Sequence, residues 1–263
     1  MTGKVPTALI TGGSRGIGRA ISRRLAKKGF AVAIADLPSQ EREGKKLVYE
    51  IESHGCKATF IPTDVTVKSQ VEEAIDVAYK TFDSFNVMVN NAGVLSLNPI
   101  DQLTSEELHR MWSVNVNGTL FGMQAAAAKF RQLGLQGGKI INACSLAGQM
   151  GPPIMGGYAS TKFAIKALTQ SAAREYGKDG ITVNGFCPGP VETAMLDEIV
   201  KKTIENGLAK DEKEVRFQQY GQSALRRSAT PDDIAKFVSF LATEESDFVT
   251  GQSIMVDGGI YCH

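Results

Sequence analysis

The sequence lacks an excess of charge and long apolar runs, and each absence excludes a class of protein. The 29 basic and 28 acidic residues leave a net charge of +1, so no global field favours nucleic acid. No apolar run approaches the roughly 20 residues that a helix needs to cross a bilayer, and the N-terminal stretch is too short for a signal peptide. We therefore predict a cytoplasmic protein that binds neither membranes nor nucleic acid.

The cysteines and histidines are too scattered for a disulfide framework or a metal site. They are Cys56, Cys144, Cys187, Cys262, His54, His109 and His263. No CxxC pair occurs, and no spacing is typical of metal ligands. The cysteines are predicted to be reduced thiols, and no metal is expected.

Short apolar runs alternate with longer segments of helical period. The runs predict strands over 7–10, 31–35, 58–61, 87–89, 139–143, 181–186 and 253–256. Helices are predicted over 17–28, 40–54, 67–82, 105–132, 158–176 and 231–242. This alternation is typical of a doubly wound parallel sheet with helices on both faces. We predict a single α/β domain over 1–263.

The segment 190–222 breaks this alternation, because it is charged, favours helix and contains no predicted strand. It is interpreted as an insertion between the sixth strand and the last helix. Insertions beyond the carboxyl ends of strands often cover substrates. A substrate lid is therefore predicted here.

A glycine-rich turn over 11–18 follows the first predicted strand and opens the first helix. Its glycines have the spacing G-x-x-x-G-x-G. Glycines allow the backbone to approach a pyrophosphate, and a helix N-terminus offers it free N–H groups. A dinucleotide site is predicted, with a plain turn as the alternative. The candidate contacts are Gly12, Ser14, Arg15, Gly16 and Ile17.

The residue that ends the second strand indicates the choice of cofactor. Asp36 can bind both hydroxyls of an adenosine ribose and would repel a 2′-phosphate, which favours NAD. Arg15 favours NADP, since a guanidinium in the turn could bind that phosphate. We predict NAD, because a like charge near the 2′ position costs more than a flexible arginine contributes.

Two further strand ends supply candidate cofactor contacts. Asp64, which precedes Val65, can bond to the adenine edge or cap the next helix, and both alternatives are open. The stretch 90–93, Asn-Asn-Ala-Gly, follows the fourth strand. Its small residues permit close approach to a cofactor through Asn91 and Gly93, although such stretches are commonly plain turns.

Tyr158 and Lys162 are four residues apart, so in a helix they share one face. A neighbouring ammonium favours the phenolate and lowers the pKa of a tyrosine from its usual value of about 10. The pair could therefore move a proton during oxidation or reduction of an alcohol. A solvated helix face is the alternative for the pair taken alone.

Together these motifs resemble those of the short-chain dehydrogenases/reductases over essentially the whole chain. In order, they are the turn at 11–18, Asp64, 90–93, Asn115, Ser145, Tyr158-x-x-x-Lys162 and Cys187-Pro188-Gly189. The resemblance implies a Rossmann-type sheet and a homotetramer built largely on the helices at 105–132 and 158–176.

The resemblance also implies a catalytic tetrad of Asn115, Ser145, Tyr158 and Lys162. Ser145 would bind the substrate oxygen, and Tyr158 would exchange its proton with that oxygen as hydride moves. Lys162 would lower the Tyr158 pKa and bind the nicotinamide ribose, so both residues would also contact the cofactor. Asn115 would hold a water that links Lys162 to solvent.

The stretch after the sixth strand completes the implied cofactor contacts. Its candidates are Pro188, Gly189, Val191 and Thr193. Thr193 matches the position that binds the carboxamide. A helix N-cap is the alternative role for Thr193, and one residue could serve as both.

A narrower likeness is to the diacetyl (acetoin) reductases, or meso-2,3-butanediol dehydrogenases. It rests on the stretches 30–36, 138–145, 182–189 and 246–253. Where bacterial members carry Gln after the catalytic serine, this chain has Leu146, which favours a bulkier ketone. The candidate pocket residues are Leu95, Ser145, Leu146, Met150, Met155 and Met195. Core packing is the alternative for each apolar one.

The leading hypothesis is an NAD(H)-dependent enzyme that interconverts a secondary alcohol and a ketone of the diacetyl, acetoin and 2,3-butanediol type. Alternatives are a polyol dehydrogenase or a carbonyl reductase for bulkier prochiral ketones. A non-catalytic NAD(H)-binding regulator is the alternative from another class. The joint presence of Ser145, Tyr158 and Lys162 argues against the regulator.

Overall fold

A parallel sheet of seven strands forms the centre of the computed structural model, which describes residues 4–221 and 223–262. The strands are β1 (Thr7–Thr11), β2 (Ala31–Asp36), β3 (Ala58–Pro62), β4 (Val87–Asn90), β5 (Lys139–Ala143), β6 (Thr182–Pro188) and β7 (Ser253–Val256). Their order is β3-β2-β1-β4-β5-β6-β7. The predicted Rossmann-type α/β fold is confirmed, and each predicted strand is present with ends shifted by at most two residues.

Helices cover both faces of this sheet. They are α1 (Gly16–Lys27), α2 (Glu41–Glu52), α3 (Lys68–Phe82), α4 (Ser105–Met111), α5 (Gly118–Gln132), α6 (Gly156–Tyr176), α7 (Ala194–Glu205), α8 (Glu212–Tyr220) and α9 (Pro231–Leu241). One core joins the sheet to α1, α2 and α9, and a second joins it to α3, α5 and α6. Two covered faces explain why β1 and β2 are buried along their whole length and apolar except at their ends. Among the described helices, none is long and apolar enough to cross a membrane.

The chain reverses direction across the sheet at β1. It runs outward from β1 through β2 to β3, then returns through α3 to β4 on the other side of β1. Such a reversal leaves a crevice at the carboxyl ends of the two strands that flank it, and ligands of doubly wound sheets bind there. The glycine-rich turn follows β1 into this crevice.

The helical segment predicted over 105–132 contains an irregularity that the sequence did not reveal. Between α4 and α5 the chain forms a π-helical stretch, Trp112–Asn117. π-Helical turns are rare and frequently lie at functional sites. Asn115 lies within this stretch.

The predicted insertion over 190–222 contains α7 and α8. An isolated β-bridge joins its Val191 to Ala229, which follows the insertion. The two helices pack on each other through a small apolar cluster of their own. The insertion ends at Gln222, which lies outside the described residues, as do residues 1–3 and His263 of the predicted domain. Its role as a lid stays a prediction.

Candidate functional site

The glycine-rich turn packs tightly between β1 and α1. Gly12 and Gly16 have φ angles of +60° and +53°, a region that favours glycine. A Cβ atom at Gly18 would lie 2.1 Å from the carbonyl oxygen of Gly12, so a side chain there would displace the turn. Ile17 packs against the apolar core, so a cofactor contact would come from its backbone. The free N–H groups of the first turn of α1 are thus available at the crevice.

The side chain of Asn91 fastens this turn to the end of β4. Its Nδ2 atom donates to the carbonyl oxygens of Thr11 (3.0 Å) and Gly12 (3.2 Å). The Thr11 hydroxyl oxygen accepts the backbone N–H groups of Asn91 (3.0 Å) and Ala92 (3.1 Å). The stretch 90–93 is therefore more than a connecting turn, because it holds the glycine-rich turn in place.

Asp36 and Ser14 lie together at the end of β2. Asp36 is buried, and its carboxylate accepts the backbone N–H groups of Ser14 (3.1 Å) and Leu37 (2.9 Å). The Ser14 hydroxyl is buried without a hydrogen-bond partner among the described residues. Buried polar atoms need such partners, and ribose hydroxyls could supply them. These residues fit the adenosine end of a dinucleotide, whereas Arg15 is exposed at the N-cap of α1.

The carboxylate of Asp64 binds Thr66 and does not cap α3. Its Oδ1 atom accepts the backbone N–H (2.9 Å) and the hydroxyl (2.7 Å) of Thr66. The N-cap residue of α3 is Val67, with no side-chain cap, so the helix-cap alternative is wrong. The neighbouring Val65 is buried in the core beside α3 and α5. A contact of this stretch with adenine stays a prediction.

The stretch after β6 reaches the glycine-rich turn. Pro188 is the last residue of β6, and Gly189 follows it. The methyl group of Thr193 lies 3.6 Å from the position that a Cβ atom of Gly16 would occupy. The Thr193 hydroxyl donates to the carbonyl of Val191 (3.1 Å). Thr193 is the N-cap residue of α7, as the alternative predicted, although its side chain makes no cap hydrogen bond. Its contact with a carboxamide stays a prediction.

Ser145, Tyr158 and Lys162 converge between the end of β5 and α6. The side chains of Ser145 and Tyr158 share a hydrogen bond. The Lys162 ammonium donates to the carbonyl of Ala143 (2.8 Å) and lies 5.4 Å from the centre of the Tyr158 ring. Tyr158 is 8% exposed and Lys162 is 3% exposed. The solvated-face alternative for this pair is therefore wrong.

Burial shifts the pKa values of this pair in opposite directions. Desolvation raises the pKa of Tyr158 to about 12, and the hydrogen bond with Ser145 opposes this shift. Desolvation lowers the pKa of Lys162 to about 8, because burial penalises the ammonium form. The shift of Tyr158 is opposite to the prediction from sequence, since desolvation outweighs the lowering effect of Ser145. Tyr158 holds its proton at neutral pH, which suits donation to a carbonyl oxygen.

Asn115 is fully buried in the π-helical stretch and joins two parts of the site. Its Oδ1 atom accepts the N–H of Val94 (2.8 Å), and its Nδ2 atom donates to the carbonyl of Val94 (2.9 Å). Nδ2 also donates to the hydroxyl of Thr161 (3.0 Å), which itself donates to the carbonyl of Tyr158 (2.7 Å). Asn115 therefore positions α6 relative to the segment after β4.

Two groups at the site were not predicted from sequence, the Thr161 hydroxyl and the Ala143 carbonyl. Thr161 precedes Lys162 and lies on the buried side of α6, so its spacing from Tyr158 was an available signal. A backbone carbonyl leaves no signal in the sequence. Gly93 is close to the same groups, since a Cβ atom there would lie 3.7 Å from the Lys162 ammonium.

Two of the predicted pocket residues pack beside the candidate catalytic tyrosine. Leu95 and Met155 belong to one apolar cluster with Tyr158. Ile199 of α7 packs against the same cluster. The cluster thus joins the predicted lid segment to the catalytic helix.

The other predicted apolar pocket residues, Leu146, Met150 and Met195, are not part of this cluster. Leu146 is half-buried and follows Ser145 in a short 3₁₀ turn. Met150 is 40% exposed and Met195 is 37% exposed. The structure does not bring Met150 and Met195 into the cluster around Tyr158.

The site as a whole combines a glycine-rich turn at the reversal point of a parallel sheet with a buried Tyr–Lys pair beside the half-buried Ser145. This combination defines a dinucleotide-dependent oxidoreductase. A family model described as short chain dehydrogenase matches residues 6–204, and the chain belongs to this family. The predicted enzyme class and the use of a nicotinamide cofactor are confirmed.

Individual relatives are similar over nearly the whole chain. L-2,3-butanediol dehydrogenase of Corynebacterium glutamicum is 46% identical over 255 residues, which cover 96% of this chain and 97% of that protein. Diacetyl reductase ((S)-acetoin forming) of Staphylococcus epidermidis is 40% identical, with 97% and 98% covered. The crystal structure of NAD+-bound xylitol dehydrogenase matches with a TM-score of 0.92 and 29% identity, covering 98% of this chain and 100% of that one. The predicted likeness to diacetyl reductases and butanediol dehydrogenases is confirmed.

Proposed function

We propose that this enzyme uses NAD(H) to interconvert diacetyl, acetoin and 2,3-butanediol. The observation that carries the proposal is the group of Ser145, Tyr158 and Lys162 beside a small apolar cluster. The names of the two relatives with 46% and 40% identity support the substrate class.

In this mechanism Tyr158 donates its proton to the substrate carbonyl oxygen during reduction and recovers it during oxidation. The Ser145 hydroxyl binds the same oxygen and orients it towards Tyr158. The bound nicotinamide cofactor supplies the hydride for reduction and accepts it in oxidation. Lys162, held by the Ala143 carbonyl, passes protons towards solvent, and Asn115 keeps α6 in register for this transfer.

The preference for NAD over NADP is attributed to Asp36. Its buried carboxylate already accepts two backbone N–H groups, which hold it at the position where ribose hydroxyls would bind. A 2′-phosphate there would meet a like charge in a partly desolvated place. Arg15 is exposed, and its guanidinium would have to leave solvent to compensate for the repulsion between Asp36 and a 2′-phosphate.

The apolar lining favours small ketones with methyl flanks over polyols. Leu95 and Met155 offer no hydrogen-bonding groups to hydroxyls further along a polyol chain. Leu146, next to Ser145, favours a second candidate function, the reduction of bulkier apolar ketones.

Three further features belong to the proposal. Residues 1–263 would form one domain, with α7 and α8 closing over the substrate. The enzyme would be a cytoplasmic homotetramer assembled through the helical segment 105–132 and α6. Trp112 and Phe163, which are 39% and 44% exposed on these two segments, are apolar side chains of the kind that interfaces bury.

A substrate and cofactor panel tests the proposal. Values of kcat/KM would be measured for diacetyl, acetoin, the 2,3-butanediol isomers, xylitol and acetophenone, each with both nicotinamide cofactors. We expect the highest values for diacetyl or acetoin with NADH. A preference for acetophenone would favour the second candidate, and a preference for NADPH would contradict the role given to Asp36.

A further inference from the structure

Two buried cysteines lie side by side at the ends of β5 and β6. The register pairs Ala143 with Phe186, and the backbone N–H of Cys144 donates to the carbonyl of Phe186 (2.9 Å). The ladder thus continues to place Cys144 beside Cys187. The two residues are 3% and 0% exposed, and they pack together in one small buried cluster with Ile165. The proposed mechanism uses neither of them.

The two sulfur atoms have different surroundings. The Gln149 amide donates to the Cys187 sulfur (3.5 Å), and the Lys166 ammonium donates to the same Gln149 side chain. The Cys144 sulfur instead lies 3.7 Å from the Ser253 hydroxyl. The neighbouring Cys144 thiol, aided by Gln149, lowers the pKa of Cys187 to about 7. The neighbouring Cys187 thiol and burial raise the pKa of Cys144 well above its usual value.

We propose that Cys187 and Cys144 are a redox-active pair that a peroxide converts into a disulfide. The Cys187 thiolate attacks one peroxide oxygen, the O–O bond breaks, and the departing hydroxide takes a proton to leave as water. The Cys144 sulfur then attacks the sulfur of the resulting sulfenic acid. The S–O bond breaks, and the hydroxide leaves as water with the Cys144 proton. The two sulfurs lose two electrons in total, and the peroxide gains them.

The backbone can accommodate this bond. Registered residues on neighbouring strands lie about 4.8 Å apart, inside the range of about 4.4–6.8 Å that disulfides span between Cα atoms. Cys144 follows the last residue of β5, so a small shift of its backbone would affect only the end of the ladder. A Cβ atom at Gly185 would lie 2.8 Å from the Cys144 sulfur, so the glycine leaves the room that this sulfur occupies.

A small oxidant has a route to the pair. Gln149, which covers the Cys187 sulfur, is half-buried, and its neighbour Met150 is 40% exposed. Rotation of the Gln149 side chain would open the sulfur to a molecule little larger than water. Cys187 attacks first, because it is the sulfur that is stabilised as a thiolate.

Formation of the disulfide is expected to slow catalysis, an effect that rests on the proposed function. Cys144 immediately precedes Ser145, and Cys187 immediately precedes Pro188 at the cofactor crevice. A displacement of these groups by about 1 Å can cost on the order of a hundredfold in rate. We expect a fall in turnover of between about tenfold and a hundredfold at full conversion.

The test treats the reduced full-length protein with graded hydrogen peroxide and follows mass, peptide links and turnover together. We expect a loss of about 2 Da, a link between the peptides of Cys144 and Cys187, and a parallel fall in turnover. Dithiothreitol should reverse all three changes. The double variant Cys56→Ser/Cys262→Ser is the matched control, because it removes only the half-buried and the exposed thiol, and it should respond like the wild type.

The variant Cys144→Ala removes the resolving thiol. Cys187 should then proceed to sulfinic acid, and dithiothreitol should no longer restore turnover. If this variant does not fold, the peptide map of the wild type decides alone. The proposal is overturned if Cys262 is oxidised while the Cys144–Cys187 link never forms. A link that forms without any change in turnover overturns the effect on catalysis, and inactivity of the reduced enzyme on the whole panel contradicts the proposed function alone.

Discussion

The glycine-rich turn and the proposed catalytic pocket around Tyr158 and Lys162 both lie at carboxyl ends of strands but are built in opposite ways. The turn consists of backbone groups and small side chains, fastened by hydrogen bonds from Asn91 to Thr11 and Gly12. The pocket instead places two titratable side chains, Tyr158 and Lys162, in a desolvated position. The turn depends on steric fit, whereas the pocket depends on electrostatics.

Substitutions in these two regions should therefore have different effects on cofactor binding, turnover and stability. A change in the turn should weaken cofactor binding and folding together, because both rest on the same close packing. A change in the pocket should lower turnover without lowering stability, because a desolvated charged group destabilises the fold while it serves the reaction.

Tyr158→Phe should reduce kcat by between about 10²-fold and 10⁴-fold, the usual contribution of a positioned acid–base group. The ring still fills the apolar cluster with Leu95 and Met155, so folding and the Kd for NADH should stay nearly unchanged. Steady-state turnover and fluorescence titration with NADH measure the two quantities. If the variant turned over as fast as the wild type, the role of Tyr158 as proton donor would be contradicted.

Lys162→Met should stabilise the protein at pH 7 by up to about 3 kcal/mol, although it abolishes turnover. Burial lowers the pKa of Lys162 to about 8 from 10.5. Between these pH values the unfolded chain binds a proton that the folded chain lacks, so the stability of the wild type rises with pH across this window. The cost in stability of burying the charged Lys162 is complete below pH 8 and vanishes above pH 10.5.

Urea unfolding of both proteins between pH 7 and 10.5 measures this effect. The difference in free energy of unfolding should shrink as the pH rises. Lys178→Met, at an exposed lysine, is the matched control and should show no such trend. A variant that is less stable than the wild type at pH 7 would mean that the bond to the Ala143 carbonyl outweighs desolvation.

Gly18→Ala should affect binding and stability together. Its Cβ atom would lie 2.1 Å from the Gly12 carbonyl oxygen, so the turn must move. We expect a loss of about 1–3 kcal/mol in the free energy of unfolding and an increase in the Kd for NADH. Gly177→Ala is the control, because nothing lies within 4 Å of its Cβ position and its φ is −55°. An unchanged Kd for NADH would show that the turn does not depend on this packing.

Asp36→Ala should narrow the preference for NADH over NADPH by about tenfold or more, since hydrogen bonds to a charged group are lost. The ratio of kcat/KM for the two cofactors measures the change. Asp64→Ala is the matched control, because the Asp64 carboxylate binds Thr66 and should leave that ratio unchanged. A clear preference of the wild type for NADPH would contradict the assignment.

The features that could be predicted from sequence are those that depend on local constraints. Continuously apolar runs indicated strands covered on both faces, and glycine spacing indicated a tight turn after the first strand. The fold and the convergence of Ser145 with Tyr158 followed from these patterns and from the resemblance.

The remaining features depend on the tertiary environment or on differences that a sequence pattern does not show. Asp64 has the same chemistry whether it caps a helix or binds Thr66. One extra residue per turn around Asn115 cannot be distinguished from a regular helix by periodicity. The direction of the Tyr158 pKa shift was predicted wrongly, because a pair of residues on one helix does not reveal how much water the rest of the fold excludes.

Leu146→Gln should have the smallest effect, and it tests substrate choice alone. Leu146 is half-buried beside Ser145, so a polar side chain there should disfavour bulky apolar ketones more than diacetyl. We expect the ratio of kcat/KM for acetophenone to that for diacetyl to fall by up to about tenfold, which is typical of small changes in pocket lining. Met150→Gln, on the same turn but 40% exposed, should leave the ratio unchanged. If both variants shift the ratio equally, the conformation of the whole turn determines the shape of the pocket. Substrate choice would then depend on backbone packing, as cofactor binding does.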